Sequence, residues 1–161
     1  MKTEEIKKGC VDLMEAAAAV YVSSIGEGGY PHTRSLFNLR NKQQFPELAH
    51  LFEDHQDDFM CYFSTNTSSS KLRQITANPK VSLYYCKPDQ FLGLMLAGDM
   101  EIFRDPEVKD ALWCEGWERY YPTGRHDPDY TVLRIYPKFS QGWYGGFRYA
   151  FRLDDRREGE V

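Results

Sequence analysis

Phe63-Ser64-Thr65-Asn66-Thr67-Ser68-Ser69-Ser70-Lys71-Leu72 leads into Ile75-Thr76-Ala77-Asn78-Pro79-Lys80-Val81-Ser82-Leu83. The first residue closes a continuous apolar run, Phe59-Met60-Cys61-Tyr62-Phe63, which has strand length and suits burial on both faces. Seven consecutive hydroxyl or amide residues, Ser64 to Ser70, then enter a short helix that Asn78-Pro79 stops. Val81 to Cys86 reads as the next strand. The first turn of a helix offers unpaired backbone N–H groups and the positive end of the dipole. Serine hydroxyls add donors and Lys71 adds a full charge, so the tract is a candidate phosphate cradle. The same residues also suit a polar loop with a serine cap, which needs no ligand.

Toward the N-terminus, Ile6, Cys10, Leu13, Met14 and Ala17 repeat at helical spacing, and Glu4 and Glu5 favour the start of that helix, about residues 3–17. Val20, Val22 and Ile25 predict a strand, and Gly26-Glu27-Gly28-Gly29-Tyr30-Pro31 a turn. A second strand, about His32 to Arg40, completes a hairpin and carries Arg34. A strand arginine is more often solvated, and gains interest only if its strand abuts the serine-rich tract. Asn41 to Gln56 is polar, with a short helical pattern at Leu48, Leu51 and Phe52.

Toward the C-terminus, Lys87-Pro88-Asp89 turns the chain into a long strand, about Phe91 to Phe103, with bends expected at Gly93 and Gly98. Asp105-Pro106-Glu107 is a strong helix start, and the helix is expected to carry Val108, Leu112, Trp113, Trp117 and Tyr120 as far as Pro122–Gly124. That aromatic stripe fits core or dimer packing. Two final strands are expected, about Tyr130–Tyr136 and Gln141–Leu153. Within the second, Trp143 lies in a Gly-aromatic stretch that suits either a bulged, packed strand or stacking on a flat ring. Residues 1–153 form one domain, and the charged tail 154–161 is expected to fray. About seven strands with few helices predict a mainly β fold with flanking helices, an antiparallel barrel or sheet.

Composition excludes several classes. The chain has 161 residues, 42% hydrophobic and 15% aromatic, so it can build one core and is not globally disordered. A net charge of −4 gives no basic field for nucleic acid or an anionic membrane. The longest apolar run, Ala16 to Val22, cannot span a bilayer, and the polar start is unlike a signal peptide; a reduced, cytoplasmic protein is expected. Cys10, Cys61, Cys86 and Cys114 have no C-x-x-C spacing, and the four histidines fall in no ligand pattern, so no metal site is expected. Gly26-Glu27-Gly28-Gly29 lies in a hairpin turn and fails as a dinucleotide fingerprint; no Walker motif or G-x-S-x-G elbow exists. Asp57-Asp58 and Asp154-Asp155 read as solvated acids.

Three blocks in this order, Gly29 to Leu36, Phe63 to Leu72 and Ile75 to Tyr85, resemble the FMN-binding split-barrel superfamily. That superfamily includes pyridoxamine 5′-phosphate oxidases and the general stress proteins related to them. The resemblance covers about residues 8–147, and the hydroxyl-rich loop ending in Ser70-Lys71 is its most specific part. It implies an antiparallel split β-barrel and a homodimer with FMN at the interface. It further implies that Arg34 and the backbone of Ser35, Leu36 and Phe37 line the isoalloxazine, while Ser64 and Thr65 contact the flavin or its ribityl chain. Ser69, Ser70 and Lys71 would hold the phosphate, and Trp143 would reach the ring from the other subunit.

The oxidase pattern is not fully kept. Its lysine five places after the strand arginine is Leu39 here, with Arg40 one place late, and its arginine before the loop lysine is Ser70. A flavin-contacting glutamine aligns near Gly93, and no histidine stands between Arg148 and Arg152 for the Arg-x-His substrate signature. These departures argue against true pyridoxamine phosphate oxidation. The resemblance implies an FMN-dependent oxidoreductase acting on a small molecule, with no side chain nominated as acid or base. The alternative is a non-enzymatic flavin- or haem-binding redox stress protein on the same fold.

Overall fold

The computed structural model describes residues 1–153. The charged tail 154–161, with Asp154-Asp155, lies outside the described residues. Among the described residues there are three α-helices and eight strands: α1 (Thr3–Ala16), β1 (Ala19–Ile25), β2 (Pro31–Phe37), β3 (Cys61–Asn66), α2 (Ser70–Ala77), β4 (Lys80–Lys87), β5 (Leu92–Phe103), α3 (Pro106–Leu112), β6 (Tyr130–Ile135), β7 (Phe139–Tyr144) and β8 (Phe147–Arg152). The strands form one curled antiparallel sheet in the order β2-β1-β4-β5-β6-β3, and β7 pairs with β5 and β8. The two ends of that order, β2 and β3, face each other without pairing along their edges, so the half-barrel has an open seam.

Long β5 makes the curl. It pairs β4 through Leu92 to Asp99, β7 through Leu92 to Ala97, and β6 through Met100 to Phe103. The change of partner falls just after Gly98, one of the two expected bends. The core is split by the β3–β6 pair, which is buried on both faces as the run Phe59 to Phe63 predicted. Cys61, Phe63, Leu133 and Ile135 point into the barrel with Leu13 and Met14 of α1 and with Val22, Leu83 and Leu96. Tyr62, Tyr130 and Val132 point the other way, into a second cluster with Leu39, Leu48, Phe52, Leu112, Trp117 and Tyr121. Burying a side chain of this size stabilises by about 1.5–3 kcal/mol, so a sheet apolar on both faces requires a cover on each.

Several sequence expectations are corrected. The serine-rich tract is not all loop: Ser64, Thr65 and Asn66 extend β3 in register with Val132, Thr131 and Tyr130. β2 ends at Phe37, not Arg40, because the Asn38 amide leaves the sheet to donate to Met14 O and Ala17 O at the end of α1. α3 stops at Leu112; Trp117 sits in a separate 3-10 turn whose entry at Gly116 has φ 90°. In the core Trp117 packs against Trp113, Tyr121 and Tyr130, while Tyr120 stays exposed. The last expected strand is a hairpin, β7 and β8, turned by Gly145 and Gly146 at φ 55° and 93°, where only glycine is unstrained. Strands therefore number eight rather than seven. Asp58 is not a solvated acid: it pairs with His55 Nδ1 at 2.9 Å and caps Met60 N.

All four cysteines are free thiols. Among the described residues no group of three His, Cys, Asp or Glu could hold a metal ion, and no helix is long and apolar enough to cross a membrane.

Candidate functional site

The open seam forms a cleft of about 510 Å³. One wall is Ser35, Leu36 and Phe37 of β2, and the other is Ser64, Thr65 and Asn66 of β3. Because each is a terminal strand of the sheet, one backbone edge of each is unpaired and its N–H and C=O groups are available to a ligand. Ala18, Ala19 and Gln44 add to the lining, and Trp117, Tyr120 and Tyr121 supply an aromatic end. The Tyr121 phenol, buried beside Ser64, is pushed up to about 12, so it stays a neutral donor at neutral pH.

The opposite end is cationic. Lys71, in the first turn of α2, donates from Nζ to Thr65 Oγ1 at 2.8 Å. Thr65 Oγ1 also meets Ser69 Oγ at 3.5 Å, at the residue that precedes the helix. Arg34 reaches from β2 across β1, donating to Ser24 Oγ at 2.7 Å, Gln74 Oε1 at 3.0 Å and Val22 O at 3.4 Å. All three acceptors are neutral, and among the described residues neither Arg34 nor Lys71 forms a salt bridge. Burial lowers both cations below their ordinary values, and the charge of Arg34 lowers Lys71 further. Two adjacent cations with no carboxylate raise the energy of the empty protein and favour an anion at the helix start.

The serine tract is divided between two tasks. Asp129, in the loop before β6, accepts from Asn66 Nδ2 (2.7 Å), Ser68 N (2.8 Å) and Ser68 Oγ (3.2 Å). Thr67 donates its N–H to Asp129 O and its hydroxyl to Pro128 O. These bonds hold the Asp129 carboxyl below its usual value. Residues 66–68 are thus tied to the β6 side, leaving Ser69, Ser70 and Lys71 at the helix start.

Of the ten residues singled out from the sequence, Ser35, Leu36, Phe37, Ser64, Thr65 and Lys71 line the cleft. Arg34, Ser69 and Ser70 sit at its cationic end without lining it. Trp143 is elsewhere: it is half exposed on the outer sheet face, lining hollows with Tyr84, Arg148 and Phe91. Sequence reading missed Gln44, Tyr121, Ser24 and Gln74, and named Asn66 only as part of the hydroxyl-rich tract. Only Gln74 carried a signal, three places after Lys71 and so on the same face of α2.

A family model described as pyridoxamine 5′-phosphate oxidase matches residues 6–144. General stress protein 26 of Bacillus subtilis (strain 168) is 24% identical over 141 residues, 86% of this chain and 88% of that protein. A solved structure from Clostridium acetobutylicum is described as related to that B. subtilis protein and of the pyridoxinephosphate oxidase family. It matches with a TM-score of 0.76 and 30% identity over 95% of this chain and 98% of its own. General stress protein 26 from Bacillus anthracis str. Sterne shares the fold at a TM-score of 0.69 and 19% identity, over 92% of this chain and 99% of its own. On the residues 6–144 match and the open-seamed antiparallel sheet, the chain belongs to the pyridoxamine 5′-phosphate oxidase family of split barrels, together with general stress protein 26.

Proposed function

We propose that this protein binds FMN in the seam between β2 and β3 and acts as an FMN-dependent oxidoreductase on a small molecule. One observation carries the reading: Arg34 and Lys71, two partly buried cations without a carboxylate partner, stand at the start of α2 and at one end of the cleft. A phosphate monoester supplies the missing negative charge, and each charge-assisted contact stabilises by about 1.5–3 kcal/mol. In this reading Arg34 stands with Lys71 at the phosphate end, not along the isoalloxazine as the resemblance implied. Lys71 and the Ser69-Ser70 start of α2 hold the phosphate, Ser64 and Thr65 meet the ribityl hydroxyls, and the free edge of Ser35–Phe37 meets the ring heteroatoms.

When bound, the flavin supplies hydride chemistry at its own ring, and the protein's part is to orient it and exclude water. Among the described residues no carboxylate and no histidine lines the cleft, and the part given to its residues here is to bind and orient the group.

The protein acts as a homodimer in this reading. The outer face of β1-β4-β5-β7 carries Tyr21, Tyr84, Met95 and Trp143 in cross-strand positions, and three of the four are more than 40% exposed. An apolar face of that kind suits an interface. Trp143 lies outside its own chain's cleft, so any contact with the ring comes from the partner copy. The test is a visible spectrum of the purified protein, before and after reconstitution with FMN, followed by mass spectrometry of what heating releases. Flavin absorbance is expected; its absence even with added FMN overturns the reading.

A further inference from the structure

We infer that Gln74 is the residue that sets the charge of this site: it holds Arg34 in place without neutralising it, and so selects for a phosphorylated ligand. The inference rests on the FMN reading. Gln74 is on α2 one turn beyond Lys71, and its side chain is the meeting point of three elements. Oε1 accepts from Arg34 Nη2 at 3.0 Å and from Ser24 Oγ at 2.6 Å. Nε2 lies 3.0 Å from His32 Nδ1. Ser24 is fully buried and also accepts from Arg34 Nη1, which closes a ring of hydrogen bonds around the guanidinium.

The amide's orientation follows from its partners. Arg34 has no acceptor, so only an oxygen can face it. Nε2 then faces His32 Nδ1, which accepts from it in the tautomer that carries the ring proton on Nε2. His32 therefore keeps the amide from turning over and setting N–H against N–H.

The chemistry at position 74 decides what Arg34 is for. A carboxylate there would keep the same acceptor atom and nearly the same volume, but it would make an ion pair with Arg34 and cancel one of the site's two positive charges. A neutral amide fixes the guanidinium and leaves its charge for the ligand. The hydrogen bonds alone suit any polar partner of arginine. The absence of a charge at residue 74 is what leaves the Arg34 guanidinium, held on this side by neutral acceptors, uncompensated beside Lys71.

Gln74→Glu tests this, with Gln74→Met as the variant that removes the bond without adding charge. The full-length protein is titrated with FMN and, separately, with riboflavin, which has the same ring and ribityl chain but no phosphate. FMN should bind about ten- to a hundredfold more weakly to Gln74→Glu than to the wild type, while riboflavin binds both equally. Gln74→Met should weaken FMN less than Gln74→Glu does. Thermal midpoints without ligand identify any folding defect, and the introduced ion pair should leave the Gln74→Glu midpoint unchanged or raised. Equal FMN affinity for wild type and Gln74→Glu overturns the inference while leaving the FMN site standing. Equal losses for FMN and riboflavin overturn it too, since they mark a general disturbance. If the wild type binds neither flavin, the reading beneath it fails and the inference falls with it.

Discussion

Lys71 Nζ donates to Thr65 Oγ1 at 2.8 Å, so the first turn of α2 is tied to the end of β3 at one end of the seam. The bond gives the ammonium one neutral acceptor in place of the water it loses. It does not supply a counter-charge, and Arg34 stands nearby with the same sign.

Lys71→Met is therefore expected to stabilise the ligand-free protein while weakening FMN by about tenfold or more. Lys71 is lowered by burial and by Arg34, so the unfolded chain binds more protons at this group than the folded one. Stability contributed through this group thus rises as pH rises from the lowered folded value toward the ordinary lysine value. The variant should lack that increment, and at neutral pH its midpoint should lie roughly 1–3 °C above the wild type, water screening limiting the gain. Paired thermal melts from pH 7 to 10 and an FMN titration check both halves.

Asp129 should matter to the ligand without touching it. Its carboxylate accepts three bonds from Asn66 and Ser68, and its folded value is lowered. Its stabilising effect is present above the ordinary value near 3.9 and is lost as pH falls through the lowered folded value. Asp129→Ala should lower the thermal midpoint at pH 7 and weaken FMN, and its deficit against the wild type should shrink as pH falls below the ordinary carboxylate value. Melts across that range measure it.

Gly142 permits a close approach of β7 to β5. A Cβ there would collide with the carbonyl oxygen of Gly93 on β5, a backbone atom that cannot swing aside. Gly142→Ala is expected to cost about 1–3 kcal/mol of stability, read by urea denaturation. The shift of β7 should also disturb Trp143 next to it, on the proposed interface.

Tyr84 lies in the middle of that face, opposite Tyr21 on one side and Met95 on the other. In a homodimer, Tyr84→Arg places a charge in the interface of each copy and should shift sedimentation from dimer toward monomer at micromolar concentration. Trp143→Ala should leave the dimer in place and weaken FMN. A wild type that sediments only as monomer removes the proposed subunit contact.

Local patterns account for much of the fold that was readable in advance. Val20 and Val22 alternate as a half-buried strand must, Asp105-Pro106-Glu107 starts α3 with the Asp105 carboxylate accepting from Glu107 N, and Asn78-Pro79 ends α2. The errors arise where a distant partner overrides local preference. Ser64 to Asn66 are polar and loop-like alone, but β6 pairs with them and makes them strand. Asn38 would continue β2 if the carbonyls ending α1 were not within its reach. The stripe through Trp113 and Trp117 keeps helical spacing across a break at Gly116 that periodicity cannot register.

The sequence by itself determined a mainly antiparallel β domain, a hydroxyl-rich tract running into a helix at Ser70-Lys71, and the family to which that order of blocks belongs. Tertiary structure alone decided that Arg34 and Lys71, 37 positions apart in the chain, bring their charges together at one end of an open seam. It also decided that Gln74 holds one of them, that Asp129 ties down Asn66 to Ser68 of the serine tract, and that Trp143 lies outside its own cleft. Charge proximity depends on distance through space, which a local sequence pattern does not encode, and here that distance is fixed by the curl of β5 and the register of β1 with β2 and β4.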